Sequence, residues 1–208
     1  MEKKPSEYLG WTFWLMWVLA NSVAWIVGMA VLWVLSFVLN SLAQGTFHLI
    51  GWAIAGALAG AFFGVNQWFL FRPLGARSQG ANTIGKWAHW WVLATIAGWS
   101  IAITVVIGLG TGEDLGFAVT GAVIGISVGI PQWFVLRPYA HKAEWWGLSN
   151  TVGWILGLAL LDVMNRAIGF PLVGVVSSAL TGGMMVWLLR NPRATEERLA
   201  IPMHEEVP

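Results

Sequence analysis

Cysteine is absent from this sequence, and charged residues are scarce. Without a thiol the chain can have no disulfide, no thiolate metal site and no cysteine nucleophile. Charged residues make up 10% of the 208 residues and hydrophobic residues 57%, whereas a soluble domain carries about 25% charged residues. The net charge is only +1, and no dense basic run is present that would bind nucleic acid. Most of the chain is therefore expected to face lipid or its own interior.

Six apolar stretches are long enough to cross a membrane, because about 20 apolar residues span the hydrocarbon core. They cover residues 11–39, 47–71, 87–109, 115–136, 145–165 and 169–189. The turns between them contain polar or helix-breaking residues, at 40–46, 72–86, 110–114, 138–144 and 162–169. The first stretch is roughly twice as long as the apolar core of a signal peptide, and no small-residue cleavage site follows it. We therefore expect a retained first helix and six membrane spans.

The basic residues predict the orientation of these spans. With an even number of spans, both termini share one side of the membrane with the turns at 72–86 and 137–142. That side holds ten of the eleven basic residues: Lys3, Lys4, Arg72, Arg77, Lys86, Arg137, Lys142, Arg190, Arg193 and Arg198. Only Arg166 lies on the other side. The positive-inside rule therefore places both termini, including a polar tail at 192–208, in the cytoplasm.

Tryptophan is abundant, with sixteen residues. Ten of them lie near the predicted cytoplasmic ends of the spans: Trp11, Trp14, Trp68, Trp87, Trp90, Trp91, Trp133, Trp145, Trp146 and Trp187. An indole at a membrane interface keeps its N–H in contact with water while its ring stays in the apolar region. We interpret these ten residues as an aromatic belt.

Two sequence patterns recur three times. The odd-numbered spans share WVLANSVAW at 17–25, WVLATIAGW at 91–99 and WGLSNTVGW at 146–154. The even-numbered spans share NQWFLFRP at 66–73, PQWFVLRP at 131–138 and, less closely, MMVWLLRNP at 184–192. Such recurrence indicates a repeated structural unit. We name the copies repeat 1 (11–73), repeat 2 (87–138) and repeat 3 (145–191).

Small residues recur at every fourth position of the even-numbered spans. They are Gly56, Gly60 and Gly64, then Gly121, Gly125 and Gly129, and then Gly174, Ser178 and Gly182. Such spacing lets helix backbones approach closely, which supplies packing energy in lipid. Each repeat contains two spans, so the copies enter the membrane in the same direction. The sequence predicts an all-α membrane protein, a single membrane domain whose six transmembrane helices form three tandem hairpins in a pseudo-threefold bundle.

Two groups of residues are candidates for a binding site. The first pairs a deep tryptophan with a polar residue one turn earlier: Asn21 with Trp25, Thr95 with Trp99, and Asn150 with Trp154. These tryptophans lie eight residues, or about 12 Å, deeper than an interfacial tryptophan. The pairs could line a cavity for a flat aromatic or cationic ligand, or the polar residues could simply link neighbouring helices.

The second group lies at the cytoplasmic ends of the even-numbered spans and comprises Gln67, Arg72, Gln132, Arg137 and Arg190. These residues could form a polar mouth that binds an anion or a lipid phosphate. Alternatively, each arginine complements the dipole at its helix C-terminus and extends to the interface, and the following proline stops the helix. This polar mouth would be incomplete, because repeat 3 has Met185 at the position of the glutamine.

Other polar residues give weaker signals. Asp162, Asn165 and Arg166 are interpreted as the solvated outer end of the fifth span. His48 or His89 could ligate the metal of a haem or chlorophyll, but an isolated histidine at a span end is weak evidence. The sequence has no histidine–carboxylate cluster, no G-x-S-x-G elbow and no phosphate-binding loop. We expect no enzymatic activity and no metal site. The sequence specifies no cofactor, although a pigment or a lipid would suit it.

The repeated module resembles a family of uncharacterised multi-pass bacterial membrane proteins, frequent in cyanobacteria and Chloroflexi-type bacteria. Its members carry G-x-x-Q-W-x-x-L-R segments, each followed by a W-W-x-L-x-x-x-x-G-W helix. The residues that match are Gln67, Trp68, Leu70, Arg72, Trp90, Trp91, Gly98 and Trp99, and then Gln132, Trp133, Arg137, Trp145, Trp146, Gly153 and Trp154. The resemblance covers about residues 60–160. It implies a membrane location and brings no activity with it.

The sequence favours a non-enzymatic membrane binding or scaffold protein. Such a protein would be an accessory subunit of a larger membrane complex or would hold a hydrophobic ligand. Its partners would be membrane lipids and other membrane proteins. The alternative is a small-solute transporter or channel with its pathway on the pseudo-threefold axis, which would require polar residues at several depths in all three repeats.

Overall fold

The computed structural model describes residues 8–42, 46–77, 81–110 and 116–192. A π-helical turn, Tyr8–Thr12, leads into the first of six long helices. We name these α1 (Phe13–Leu42), α2 (Thr46–Arg77), α3 (Ala81–Leu109), α4 (Phe117–Leu136), α5 (Glu144–Val163) and α6 (Arg166–Arg190). Each helix contains a segment that is long and apolar enough to cross a membrane. The predicted all-α fold with six membrane-spanning helices is confirmed.

The six helices form a closed ring in chain order. Each helix packs against the helices that precede and follow it, and α6 packs against α1. At one end of the ring, Ala140 in the α4–α5 connection forms an isolated β-bridge with Pro192, which follows α6. The grouping into three hairpins around a pseudo-threefold axis stays a prediction, and so do the boundaries of the repeats.

The small residues of the even-numbered helices lie against the next helix of the ring. A Cβ atom on Gly60 would lie 2.8 Å from the Cα of Ile96 in α3, and one on Gly174 would lie 3.0 Å from the Cα of Ser22 in α1. A Cβ atom on Gly125 would clash with the backbone of α5. The same close approach to a neighbouring backbone occurs at Gly56, Gly64, Gly121 and Gly129, whereas a Cβ atom on Gly182 would meet the indole of Trp17. Only a residue without a side chain allows these helices to lie so close together.

Two predicted turns have the wrong extent. The turn expected at 162–169 is reduced to Met164 and Asn165, because the Asn165 side chain caps α6 by accepting a hydrogen bond of 2.8 Å from the backbone N–H of Ala167. In repeat 1, α2 continues past the proline that was expected to stop it and ends at Arg77. A proline removes one intrahelical hydrogen bond, but a helix can continue past it where the freed carbonyl group finds another partner. Of the predicted tail at 192–208, residues 193–208 lie outside the described residues.

The predicted aromatic belt is wrong for three of its ten tryptophans. Trp87, Trp91 and Trp146 are at most 2% exposed and pack inside the ring, whereas Trp11 and Trp90 are more than half exposed. The reason is helical geometry, since successive residues of a helix point about 100° apart. In each tryptophan pair of an odd-numbered helix, one indole therefore faces lipid and the other faces the interior.

Candidate functional site

A layer of hydrogen-bonded polar side chains lies inside the ring. In repeat 1 its centre is Gln67 of α2, which is 8% exposed. Its Oε1 accepts a hydrogen bond of 2.6 Å from the indole N–H of Trp91, and its Nε2 donates one of 2.7 Å to Oδ1 of Asn21. Asn21 in turn donates to the backbone carbonyl of Trp17. Gln67 therefore links three helices, α1, α2 and α3.

Repeat 2 contains the same arrangement around Gln132 of α4. Its Oε1 accepts a hydrogen bond of 3.0 Å from the indole N–H of Trp146, and its Nε2 donates one of 2.8 Å to Oγ1 of Thr95. Thr95 donates to the backbone carbonyl of Trp91. Gln132 therefore links α3, α4 and α5, one step further around the ring.

The tryptophans fix the direction of this network. An indole nitrogen can only donate, so the amide group that it contacts must present its oxygen. Trp91 thereby determines the orientation of Gln67, and Trp146 determines that of Gln132. Each glutamine must then present its NH₂ group to the polar residue on the preceding helix.

Repeat 3 breaks the pattern, because Met185 has the position of the glutamine. Its thioether is only a weak acceptor for an indole and has no hydrogen to donate to an asparagine. The indole N–H of Trp17 instead donates to Oγ1 of Thr181 at 3.2 Å, one turn earlier on α6. Asn150 instead directs its NH₂ group towards Oε1 of Gln132, at 3.4 Å. Its own Oδ1 is buried and has no hydrogen-bond partner.

Aromatic layers lie on both sides of the polar residues. On the side that the sequence predicts to be cytoplasmic, the ring centroids of Trp91 and Trp146 lie 5.3 Å apart, and those of Trp17 and Trp146 lie 6.1 Å apart. On the other side the ring of Trp154 lies 5.3 Å from that of Trp25 and 5.4 Å from that of Trp99. The interior is therefore packed with large side chains above and below the polar layer.

A small cavity remains between these layers, with a volume of about 30 Å³. It is lined by residues from all six helices, including the three predicted pairs of a polar residue and a deep tryptophan. The structure thus brings Asn21, Trp25, Thr95, Trp99, Asn150 and Trp154 together around one space. That space is too small for the flat aromatic ligand considered from the sequence, since a single water needs about 10–15 Å³ on the same measure.

The predicted anion-binding group is not brought together. Gln67 and Gln132 are buried within the polar layer, whereas Arg72, Arg137 and Arg190 are exposed. The guanidinium carbon of Arg72 lies 4.7 Å from the ring centroid of Trp68, and that of Arg137 lies 4.7 Å from Phe134. Both arginines therefore contact aromatic residues on their own helices, which is the geometry of cation–π contacts.

A second feature, absent from the sequence interpretation, is an apolar groove of about 550 Å³ on the lipid-facing side. We call it the outer groove, and it is lined by Ile26, Met29, Ala30, Leu32, Trp33, Ser36, Trp52 and Phe170. It lies between the second half of α1 and the starts of α2 and α6. One signal could have revealed it, since Trp33 and Trp52 are tryptophans that have no counterpart in the other repeats.

The remaining candidates lie apart from both features. Nε2 of His48 accepts a hydrogen bond of 3.0 Å from the indole N–H of Trp52. Asp162 and Arg166 are exposed, and the guanidinium carbon of Arg166 lies 5.9 Å from the ring centroid of Phe117. Within the described ranges, no three histidine, aspartate or glutamate residues lie together in a way that could hold a metal ion.

The chain was compared with protein families, characterised proteins and solved structures. No family model matches the chain, and searches of characterised proteins and of solved structures find no similar protein.

Proposed function

We propose that this chain is a non-enzymatic membrane binding protein that holds a hydrophobic ligand in the outer groove, alone or as an accessory subunit of a larger membrane complex. The observation that carries the proposal is the contrast between two spaces. The interior of the ring leaves about 30 Å³, whereas the groove on the lipid-facing side offers about 550 Å³. Ligand sites in proteins are concave, mostly apolar and typically of the latter size.

The chemistry of the outer groove supports a ligand from the bilayer. Its lining is aliphatic and aromatic apart from Ser36, whose hydroxyl already donates to the backbone carbonyl of Trp33. Trp33 is 66% exposed, so its indole offers apolar surface to a bound molecule. A lipid chain, an isoprenoid or an extended pigment tail fits this surface, because it needs no polar partner there.

The orientation forms part of the proposal. We place the chain in the bacterial cytoplasmic membrane with both termini in the cytoplasm, in keeping with the resemblance to bacterial multi-pass proteins. Arg72, Arg137 and Arg190 support this orientation because they lie at the C-terminal ends of α2, α4 and α6, or near them. The outer groove then lies in the half of the membrane away from the cytoplasm.

The test is native mass spectrometry with an absorption spectrum on protein extracted gently from its host membrane. We expect an apolar molecule to co-purify with the wild-type chain and to be lost from Ala30→Phe, which fills the groove. Ala97→Phe is the matched control, because Ala97 is also exposed but lies on α3, away from the groove. Equal ligand content in both variants, or none in the wild type, would reject the groove as the site.

A small-solute pathway through the ring is the second candidate, and the polar layer at its centre favours it. The tryptophan layers above and below this layer oppose it, because a solute could pass only if several buried indoles moved. Solute flux in liposomes decides between the two candidates. Flux that is lost when Gln67 and Gln132 are replaced would favour transport.

A further inference from the structure

The three repeats place equivalent residues around the central cavity, and one position differs. In repeats 1 and 2 a glutamine NH₂ group donates to the polar residue of the odd-numbered helix, at Asn21 and at Thr95. In repeat 3 the equivalent acceptor is Oδ1 of Asn150, and the equivalent donor position holds Met185. Met185 is completely buried.

The lack of a partner for Oδ1 of Asn150 follows from the whole network and is not an effect of how its amide is oriented. Trp146 donates to Oε1 of Gln132, so this oxygen also faces the NH₂ group of Asn150. Rotating the Asn150 amide would bring two oxygens together. Oδ1 of Asn150 therefore has to find its donor elsewhere, because a buried carbonyl oxygen without a partner is strongly unfavourable.

The cavity has room for a small molecule that donates to Oδ1 of Asn150, and its lining offers further acceptors to that molecule. Asn150 lines the cavity and is 3% exposed. Ser177 and Thr181, which also line it, donate their hydroxyl hydrogens to backbone carbonyls. Each keeps acceptor capacity, although Thr181 already accepts one hydrogen bond from Trp17. Among the described residues that line this space none is charged. A cation would therefore lack a counter-charge, and burying one without a partner is costly.

We propose that the central cavity is a binding site for one or two water molecules, which donate to Oδ1 of Asn150 in place of the glutamine NH₂ group that repeat 3 lacks. The volume of about 30 Å³ fits this number of waters. The water replaces the missing donor and completes the polar layer around the ring. This site is separate from the outer groove, so either proposal can fail without the other.

The experiment is proton-detected solid-state NMR of the wild-type protein in lipid bilayers, with the side-chain amide of Asn150 assigned. We expect magnetisation transfer from a bound water to the Asn150 NH₂ group in the wild type. It should persist in Met185→Leu and disappear in Met185→Gln, whose NH₂ group can donate to Oδ1 of Asn150 instead of the water. No transfer in the wild type, or equal transfer in Met185→Gln, would overturn the proposal.

A second measurement excludes an ion and does not depend on the folding of any variant. Crystals of the wild-type protein grown from lipid and soaked with rubidium should show density beside Oδ1 of Asn150 without an anomalous signal. An anomalous peak at this position would mean that the site holds a cation, and the water proposal would then be wrong.

Discussion

The indole N–H of Trp91 donates a hydrogen bond of 2.6 Å to Oε1 of Gln67, and both side chains are buried inside the ring. The two residues belong to different repeats, so this contact fastens one repeat to the next. Trp146 and Gln132 form the same contact one step further around the ring. The third step uses Trp17 and Thr181 instead. Each repeat is thus linked to the next by a buried indole hydrogen bond, and two of these three bonds are alike.

The glutamines should contribute to stability through these links. Gln67→Leu leaves both the indole of Trp91 and Oδ1 of Asn21 without their partner. We expect it to lower the free energy of unfolding by about 1–3 kcal/mol, the cost of a buried unsatisfied group. Met185→Leu is the matched control at the equivalent position of repeat 3 and should cost less than about 1.5 kcal/mol, as a swap of similar volume does. Unfolding by titration with a denaturing detergent measures both. Equal effects would contradict the structural role of the glutamine.

The close contacts of the even-numbered helices predict a steep response to added volume. In Gly60→Ala the new methyl group would meet the α3 backbone at Ile96. We expect a loss of about 1–3 kcal/mol, as overpacking typically causes, and a much larger loss for Gly125→Leu. A Cβ atom on Gly147 of α5 meets nothing within 4 Å, so Gly147→Ala is the control and should leave the melting temperature in detergent unchanged or raise it. If Gly60→Ala melts like Gly147→Ala, the helices are not packed this closely.

The capping of α6 by Asn165 predicts a local effect. Asn165→Ala removes the acceptor for the backbone N–H of Ala167, and we expect a loss of about 0.5–2 kcal/mol. Asn165→Asp retains an acceptor oxygen and should remain close to the wild type. Thermal unfolding in detergent compares the two variants. Similar melting temperatures for both would show that the cap contributes little.

The orientation can be tested directly because the chain has no cysteine. Single cysteines at Asp162 and His141 lie at exposed positions on opposite ends of the ring. In intact bacterial cells we expect a membrane-impermeant maleimide to label Asp162→Cys. His141→Cys should be labelled only after the membrane is permeabilised. The reverse pattern would place the termini outside.

Some of the candidate site could be read from the sequence, and some could not. The recurrence of Asn21, Thr95 and Asn150 identified the residues that meet around the cavity. It could not show the size of that cavity, because the size depends on how the surrounding indoles pack. The sequence also could not show that Gln67 is buried in the ring while Arg72 is exposed. The direction in which each side chain points depends on how α2 is rotated in the ring.

The sequence by itself determined the number of membrane-spanning helices, because the length of each apolar stretch is matched to the thickness of the membrane. It also contained the small-residue spacing along the even-numbered helices. Only the tertiary structure decided which tryptophans face lipid and which face the interior, and that α6 closes the ring against α1. These features depend on contacts between residues far apart in the sequence, such as Trp14 and Ala179, which are 165 positions apart. No local pattern of residues specifies such contacts.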